Sequence, residues 1–337
     1  MKLLVITQEI DEEGDVLGFF VDWMGELSKH FEKVEIVHLR GEGAKMPDNV
    51  TLHKISGNRA EKVVKLNEIV LKTKPDRILA HMCPEFVISI YPNTALKRIP
   101  IIMFYAHGST SPKLSLVEKM CKKVLTTTES GFRIKSKKKV VIHQGIDSEK
   151  FYSSGGKYIL DAARISKVKK HDLIISAFSE ISKRHPELAL KIVGADPTEK
   201  KETMGDLENL VKKLGLEDEV ELSGKIPNKE MPEVYAECAL FVSASETGSL
   251  DKTGLEAMAS GKPVLVCNEA FDEILSGFER ECVFEKGNTK ELAEKMEWFL
   301  DNPEKAKEIG AALRKRVEKQ HSMQDLMRRV AEEIKGL

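Results

Sequence analysis

The chain has 337 residues, enough for two domains of ordinary size. Its composition, 41% hydrophobic and 32% charged with a formal net charge of -1, is typical of a soluble globular protein and argues against general nucleic-acid affinity. No apolar run approaches the roughly 20 residues of a membrane-spanning helix, and the initial "LLVI" is too short for a secretion signal. The five cysteines show no CxxC spacing, which favours free thiols in a reducing compartment. These features predict a cytoplasmic protein.

Short apolar segments alternate with helical patterns through the first 150 residues. The predicted strands are "KLLVIT" (2–7), "VEIVHL" (34–39), "RILAHM" (77–82) and "IPIIMFYAH" (99–107). Continuous apolar strands separated by helices indicate parallel βαβ units whose sheet is covered on both faces. Residues 1–150 are therefore predicted to form one doubly wound domain.

A segment rich in glycine and serine, "VIHQGIDSEKFYSSGGKY" (141–158), indicates a linker, after which the alternation restarts. The second series predicts another doubly wound domain over residues 151–322. The amphipathic helix of residues 323–337 could pack on either domain, including back on the first. The fold class is thus predicted as α/β, with two Rossmann-like domains that face a central cleft lined by the carboxyl ends of their strands.

Two cations follow the first strand of the second series, in "AARISKVKKHDLIISAF". Arg164 and Lys169 could neutralise a diphosphate, the first by a bidentate fork and the second as a point charge. Because Lys167 and Lys170 are also present, a solvated basic loop is the alternative interpretation.

A single carboxylate, Glu256, interrupts the small and apolar residues of "SLDKTGLEAMASGKPVLV" (249–266). Asp251 or Ser249 can cap a short helix that ends at Gly261, and the N–H groups at its N-terminus would favour a phosphate. Glu256, one turn in, could accept hydrogen bonds from two ribose hydroxyls, as acidic residues do in dinucleotide sites. The alternative is a glutamate on the solvent face of a surface helix.

Two residues of the first domain are further candidates. His107 ends the apolar strand of residues 99–107, where it would face the cleft, and a core histidine is the alternative. Gly18 opens the first helix and would allow close approach of a phosphate, although helix starts also select glycine for other reasons. The sequence contains no D-x-D, no HxxH and no Cys/His cluster, so no metal site is predicted. The lack of G-x-G-x-x-G after the first strand disfavours a nicotinamide cofactor.

Taken in order, these segments resemble the glycosyltransferases of family 4, retaining enzymes of the GT-B fold, over essentially the whole chain. "VVIHQGIDSEKF" is similar to the family's linker motif, "AARISKVKKHDLIISAF" to its Gly-Arg-Leu…Lys-Gly segment, and "LEAMASGKPVLV" to its most recognisable segment. "LKIVGADP" and residues 214–245 follow the family through Gly194 and Gly224. The resemblance implies a second domain that binds a nucleotide sugar and a first domain on the acceptor side.

The resemblance also implies roles for individual residues. Arg164 and Lys169 match the cations that bind the diphosphate, and Glu256 matches the second Glu of the E-x7-E motif, which holds the ribose. The resemblance implies further donor-site residues. The backbone of Leu250, Asp251, Lys252 and Thr253 would lie beside the β-phosphate and the sugar. Lys225 and Ile226 would line the pocket of the base, and Gly194 also belongs to the implied donor site. His107 matches a histidine that contacts the donor sugar or its phosphate, and Gly18 lies near the diphosphate loop.

One departure separates this sequence from the family pattern. The position eight residues before Glu256, where the family has its first Glu, is Gly248, and Glu246 comes two positions early. Asp251 and Lys252 occupy a stretch that is normally glycine or apolar. The donor sugar, whose hydroxyls the first Glu usually binds, is therefore left unassigned.

The implied activity is sugar transfer, with retention and without a metal or other cofactor, from a nucleotide-diphosphate sugar to an acceptor hydroxyl. The acceptor is a glycan, a lipid-linked molecule or a small molecule. Two alternatives stay open, a GT-B-fold sugar-nucleotide 2-epimerase and a non-catalytic sugar-nucleotide binder. Gly248 keeps the binder open, whereas "LEAMASGKPVLV" with the Arg/Lys pair favours the transferase over the epimerase.

Charge is unevenly distributed along the chain. Residues 97–139 contain 11 basic and 2 acidic side chains. One interpretation is a peripheral contact with an anionic membrane at its inner face, with Leu114, Leu116, Val117 and Met120 as a shallow interfacial face. The other is a solvated basic surface.

Overall fold

The computed structural model describes residues 1–11, 18–196, 202–246, 248 and 250–337. Over these ranges the chain divides into two compact units. The first unit is Met1–Gly145 with Met323–Leu337, and the second is Ile146–Ser322. Each unit is built around a parallel β-sheet.

The first unit alternates strands with helices. Its strands are β1 (Lys2–Ile6), β2 (Glu9–Asp11), β3 (Lys33–His38), β4 (Arg40–Gly43), β5 (Val50–Lys54), β6 (Arg77–His81), β7 (Ile101–Phe104), β8 (Lys123–Thr126) and β9 (Lys139–Val141). Its helices before the second unit are α1 (Phe19–Ser28), α2 (Arg59–Thr73), α3 (Pro84–Leu96) and α4 (Pro112–Met120). Within the described ranges the main sheet has the order β5-β3-β1-β6-β7-β8-β9, and β2 pairs with β4 beside it.

Strand β1 shows why its residues form a central strand. Leu3 and Val5 point into the hydrophobic cluster that contains α1, whereas Leu4 and Ile6 point into the cluster that contains α2 and α3. All four side chains are at most 1% exposed. A strand that is apolar on both faces is stable only between two layers of helices, which is the doubly wound arrangement.

The second unit repeats this plan with a smaller sheet. Its strands are β10 (Tyr158–Ala162), β11 (Ala189–Val193), β12 (Val220–Gly224), β13 (Cys238–Ser243) and β14 (Val264–Val266). Its helices are α5 (His171–Ile181), α6 (Glu202–Leu214), α7 (Met231–Glu237), α8 (Lys252–Ala259), α9 (Asp272–Leu275), α10 (Glu279–Cys282), α11 (Thr289–Asp301) and α12 (Pro303–Gln320). The strands are parallel, in the order β12-β11-β10-β13-β14.

The last helix, α13 (Met323–Lys335), returns to the first unit. Its residues Leu326, Met327 and Val330 are buried in the cluster that contains α1. Gly145 passes close to this helix, and a Cβ atom there would lie 2.6 Å from a methyl carbon of Leu326. A side chain at this position would therefore displace Leu326, so glycine suits the point where the chain leaves the first unit.

Helix α4 corrects the prediction of a shallow interfacial face. Leu114 and Val117 are buried in the core of the first unit, whereas Leu116 is 46% exposed and Met120 is partly buried. The two buried residues lie three positions apart, so they share the helical face that packs on the unit. Among the helices of the described ranges, none combines the length and the apolar character needed to cross a membrane.

Candidate functional site

The donor-site residues predicted in the second unit lie at one edge of its sheet. Arg164 and Lys169 follow β10, Gly194 follows β11, and Lys225 with Ile226 follow β12. The segment after β13 leads into α8. Loops that follow parallel strands meet at the carboxyl edge of the sheet, where doubly wound folds bind their ligands. The structure therefore brings these residues to one edge.

The ammonium group of Lys169 is buried at this edge. Its Nζ donates to both carboxylate oxygens of Asp251, at 2.8 and 2.9 Å, and to Ser245 Oγ at 3.1 Å. The residue is 9% exposed, which excludes the solvated-loop interpretation for this lysine, although Lys167 two residues earlier is exposed. A buried ammonium needs such partners because an unpaired charge is costly away from water. The contact joins the segment after β10 to the start of α8.

Arg164 differs from Lys169 because its side chain is exposed. In the part of the chain that the structure describes, its guanidinium forms no hydrogen bond or ion pair. Its backbone is held instead, since the Arg164 carbonyl oxygen lies 3.1 Å from Nε2 of His171 and can accept its hydrogen. A fixed backbone with a solvent-facing guanidinium leaves five N–H donors that an anion can engage.

A buried ion pair positions the Arg164 backbone. His171 Nδ1 lies 2.5 Å from Asp161 Oδ2, and the two side chains are 1% and 2% exposed. Burial lowers the pKa of His171, but the charge and hydrogen bond of Asp161 offset this and raise the pKa above its ordinary value. Acceptors at both ring nitrogens favour the imidazolium form. Sequence reasoning missed this pair; the signal was an acid inside the apolar strand "YILDA".

Glu256 is buried on α8, with 4% of its surface exposed, so the solvent-face interpretation is wrong. Tyr235 donates its hydroxyl to Glu256 Oε2 at 2.8 Å, and Lys252 Nζ donates to Oε1 at 2.5 Å. Burial and the neighbouring Glu256 charge raise the pKa of Tyr235 well above its ordinary value, so the phenol keeps its proton and donates. Among the described residues, each carboxylate oxygen of Glu256 thus has one side-chain donor and retains the capacity to accept another.

The start of α8 differs in one respect from the prediction. Asp251 occupies the N-cap position, but its side chain makes no capping hydrogen bond, because its carboxylate is bound to Lys169. Ser249, the other predicted cap, lies outside the described residues. The helix ends at Ala259, and Gly261 follows it with a φ of +70°, the left-handed conformation expected of a C-terminal glycine.

The residues at this helix start are accessible to a ligand. The four whose backbone is predicted to face a phosphate are partly exposed, namely Leu250, Asp251, Lys252 and Thr253. Gly248 has a φ of +66°, a conformation in which a glutamate would be strained. The departure from the family's first Glu therefore coincides with a backbone conformation that suits glycine.

Gly194 is required by backbone packing. A Cβ atom there would lie 1.9 Å from the carbonyl oxygen of Ala163, and the Gly194 N–H donates to the Gly224 carbonyl oxygen at 2.8 Å. This glycine therefore allows the segments after β10 and β11 and the end of β12 to approach one another. Lys225 is exposed and Ile226 is partly buried at the same edge.

The two candidates of the first unit also lie after strands or at a helix start. The predicted strand ending at His107 stops at Phe104, and His107 is exposed, so the core-histidine alternative is wrong. Its Nδ1 accepts a hydrogen bond from the Ser109 N–H at 3.1 Å, which places the hydrogen of the neutral ring on Nε2. Gly18 is buried at the N-cap of α1 and follows residues 12–17, which lie outside the described ranges.

The cysteines are poor nucleophile candidates. All five are buried free thiols. Burial raises the pKa of Cys267 to about 11, and the other four thiols also have raised pKa values because they are buried. The chemistry of the site therefore rests on its cations, carboxylates and backbone N–H groups.

Comparison with known proteins gives curated relatives that match part of this chain. The mannosylfructose-phosphate synthase of Agrobacterium fabrum is 39% identical over 114 residues, which are 33% of this chain and 25% of that protein. Spore coat protein SA of Bacillus subtilis is 28% identical over 193 residues, 53% of this chain and 48% of that protein. The chain thus spans between about a quarter and a half of the length of these relatives.

Solved structures match the whole chain. The structure of Anabaena HepE in complex with UDP and glucose superposes with a TM-score of 0.82 at 16% identity, covering 100% of both chains. At this identity the likeness shows the fold alone, and the predicted α/β fold of the GT-B class is confirmed. The family model described as "Glycosyl transferases group 1" matches residues 143–316, just over half of the chain. The chain therefore belongs to the glycosyl transferases group 1 family.

Proposed function

We propose that the protein is a retaining glycosyltransferase that moves a sugar from a nucleotide-diphosphate sugar to an acceptor hydroxyl without a metal ion. The observation that carries the proposal is a pair of buried charges, each bound to a residue at the start of α8. Lys169 is 9% exposed and pairs with Asp251, and Glu256 is 4% exposed and pairs with Lys252. Charges are kept in such positions at a stability cost, which indicates a functional site.

Each group has a role in donor binding under this proposal. Arg164 and Lys169 neutralise the diphosphate, helped by the backbone N–H groups of residues 250–253 at the helix start. Glu256 accepts hydrogen bonds from the ribose hydroxyls, because Tyr235 and Lys252 fix its orientation and leave acceptor capacity. Residues 225–226 contact the base, and in the first unit His107 and Gly18 contact the donor sugar or its phosphates.

The proposed reaction needs no nucleophilic side chain. The acceptor hydroxyl attacks the anomeric carbon from the side of the leaving group, the bond to the β-phosphate oxygen breaks, and that oxygen takes the hydroxyl proton. Charge builds on the departing diphosphate, and the cations at positions 164 and 169 stabilise it as it forms. The structure of HepE with UDP and glucose supports a nucleotide-sugar donor by analogy of fold.

A panel of nucleotide sugars tests the proposal. The protein is incubated with UDP-, GDP- and ADP-sugars in the presence of chelator, and free nucleoside diphosphate and sugar identity are followed. Slow nucleotide release, lost in Lys169→Ala, is expected. Asp218→Asn is a matched control, because Asp218 is exposed at the amino end of β12, away from the site. Sugar interconversion without release would indicate an epimerase, and a thermal shift alone would indicate a binder.

We further propose that the basic segment of residues 97–139 contacts anionic acceptors or membranes through charge alone. Lys123, Lys138 and Lys139 are held in ion pairs within the first unit, but Lys113 and Lys122 are among the basic residues that stay exposed. Co-sedimentation with anionic vesicles at low salt, abolished at high salt, is the expected result. Absence of binding at low salt would leave a soluble sugar or small metabolite as the acceptor.

A further inference from the structure

The charge of Lys169 is already balanced within the protein. Its Nζ lies 2.8 and 2.9 Å from Asp251 Oδ1 and Oδ2 and 3.1 Å from Ser245 Oγ. The two oxygens of the Asp251 carboxylate lie on one side of the ammonium group, so they form an ion pair with it whatever hydrogen they share. A diphosphate can therefore gain the full charge of Lys169 only if Asp251 moves away.

Asp251 is the contact that has to give way. If its carboxylate stayed on Lys169, it would lie beside the incoming phosphate, and two anions in a partly buried site repel each other. Ser245 is neutral and can remain. Asp251 also has an alternative position, because it is partly exposed and its side chain makes no capping hydrogen bond, so its carboxylate can rotate towards solvent.

Glu256 provides a contrast on the same helix. Within the described ranges, each of its oxygens has one donor, from Lys252 or from Tyr235, whereas a carboxylate accepts about four hydrogen bonds. Ribose hydroxyls can therefore join Glu256 without displacing a partner. The competition is specific to Lys169, and so to the phosphate end of the donor.

We propose that Asp251 is an internal counter-ion of Lys169 that the donor diphosphate displaces on binding and that recaptures Lys169 when the nucleotide leaves. This inference rests on the proposed function. Under it, Asp251 sets the affinity for the donor and promotes release of the nucleoside diphosphate product. The residue acts through Lys169 and is a positioning residue. Its presence lowers affinity for diphosphate, in contrast to a residue whose role is structural.

Calorimetric titration of the purified full chain with UDP, GDP and ADP tests the inference. Asp251→Asn removes the carboxylate charge but keeps an oxygen that can accept from Lys169. If Lys169 is released from Asp251 in about a tenth of the wild-type molecules, this variant should bind the preferred nucleoside diphosphate about tenfold more tightly. Asp251→Ser should act in the same direction, and Asp218→Asn, with the same change of charge away from the site, should leave the dissociation constant unchanged.

Two results with the Asp251 variants would overturn the inference. An unchanged or weaker affinity of both Asp251 variants, with thermal midpoints that show folded protein, would overturn the inference. So would weaker binding of the sugar nucleotide by Asp251→Asn, which would make Asp251 a ligand of the donor sugar. A structure of the UDP, GDP or ADP complex should show Lys169 on a phosphate oxygen and away from Asp251. If no nucleoside diphosphate binds the wild type or the variants, the proposed function itself fails.

Discussion

Removing Asp161 should destabilise the second unit by leaving His171 buried without its partner. Both side chains are at most 2% exposed, so the pair is shielded from solvent. Breaking a buried ion pair by deleting one partner typically costs about 3–5 kcal/mol. Because His171 can release its proton once the carboxylate is gone, we expect the lower end for Asp161→Ala, about 3 kcal/mol of the free energy of unfolding. Asp161→Asn, which keeps an acceptor near Nδ1, should lose less.

The stability lost in Asp161→Ala should become smaller as pH rises. The pKa of His171 in the folded chain lies above its ordinary value of 6.5, since Asp161 more than offsets the effect of burial. The stability that this protonation contributes is therefore fully present below the unfolded pKa and is lost as pH rises through the folded pKa. The difference between wild type and Asp161→Ala should accordingly be larger at pH 6 than at higher pH, and should shrink by at most about 1.4 kcal/mol per pH unit.

Urea unfolding followed by tryptophan fluorescence measures this difference in the relevant unit. The chain has two tryptophans, Trp23 in α1 and Trp298 in α11. In a Trp23→Phe background the signal comes from Trp298, whose helix packs against α5, the helix that His171 begins. Asp218→Asn should change stability by less than about 0.5 kcal/mol. A loss in Asp161→Ala as small as in that control, or one that grows with pH, would refute the reasoning.

Replacing Arg164 or Lys169 by alanine should cut turnover by roughly 100-fold or more, since each change removes a cation that stabilises the leaving diphosphate. Full activity of the double variant in a nucleotide-release assay would contradict this mechanism. Glu256→Ala should weaken nucleoside-diphosphate binding in calorimetry by about 1.5–3 kcal/mol, the worth of hydrogen bonds to a charged group. Equal binding of ribo- and 2′,3′-dideoxy-nucleotides to the wild type would show that Glu256 does not hold the ribose. Turnover should persist in excess chelator, and a strict need for Mn²⁺ or Mg²⁺ would rule out metal independence.

The repeating order of strands and helices could be predicted from the sequence because a central parallel strand must be apolar on both faces. That requirement is local and leaves a clear pattern, as in "KLLVIT" and "YILDA". The carboxyl edge of the second sheet followed from the same pattern, and with it the neighbourhood of Arg164, Lys169 and Glu256. Strands β5 and β9 were missed because they are only partly buried, and β8 was missed because its apolar part, in "KVLT", is short. Their apolar pattern is correspondingly weak.

The partners of the charged side chains were decided by the tertiary structure alone. Lys169 is 82 residues from Asp251 in the sequence, and Tyr235 is 21 residues from Glu256. Periodicity reports which face of one element is buried, but it does not report which polar groups of other elements meet there. For the same reason the sequence left open whether Glu256 faces solvent and whether Asp251 caps its helix. The packing of α8 against α7 and α12 settled the first, and the pairing of Asp251 with Lys169 settled the second. A charge that leaves water must find its partner wherever the fold brings one within reach.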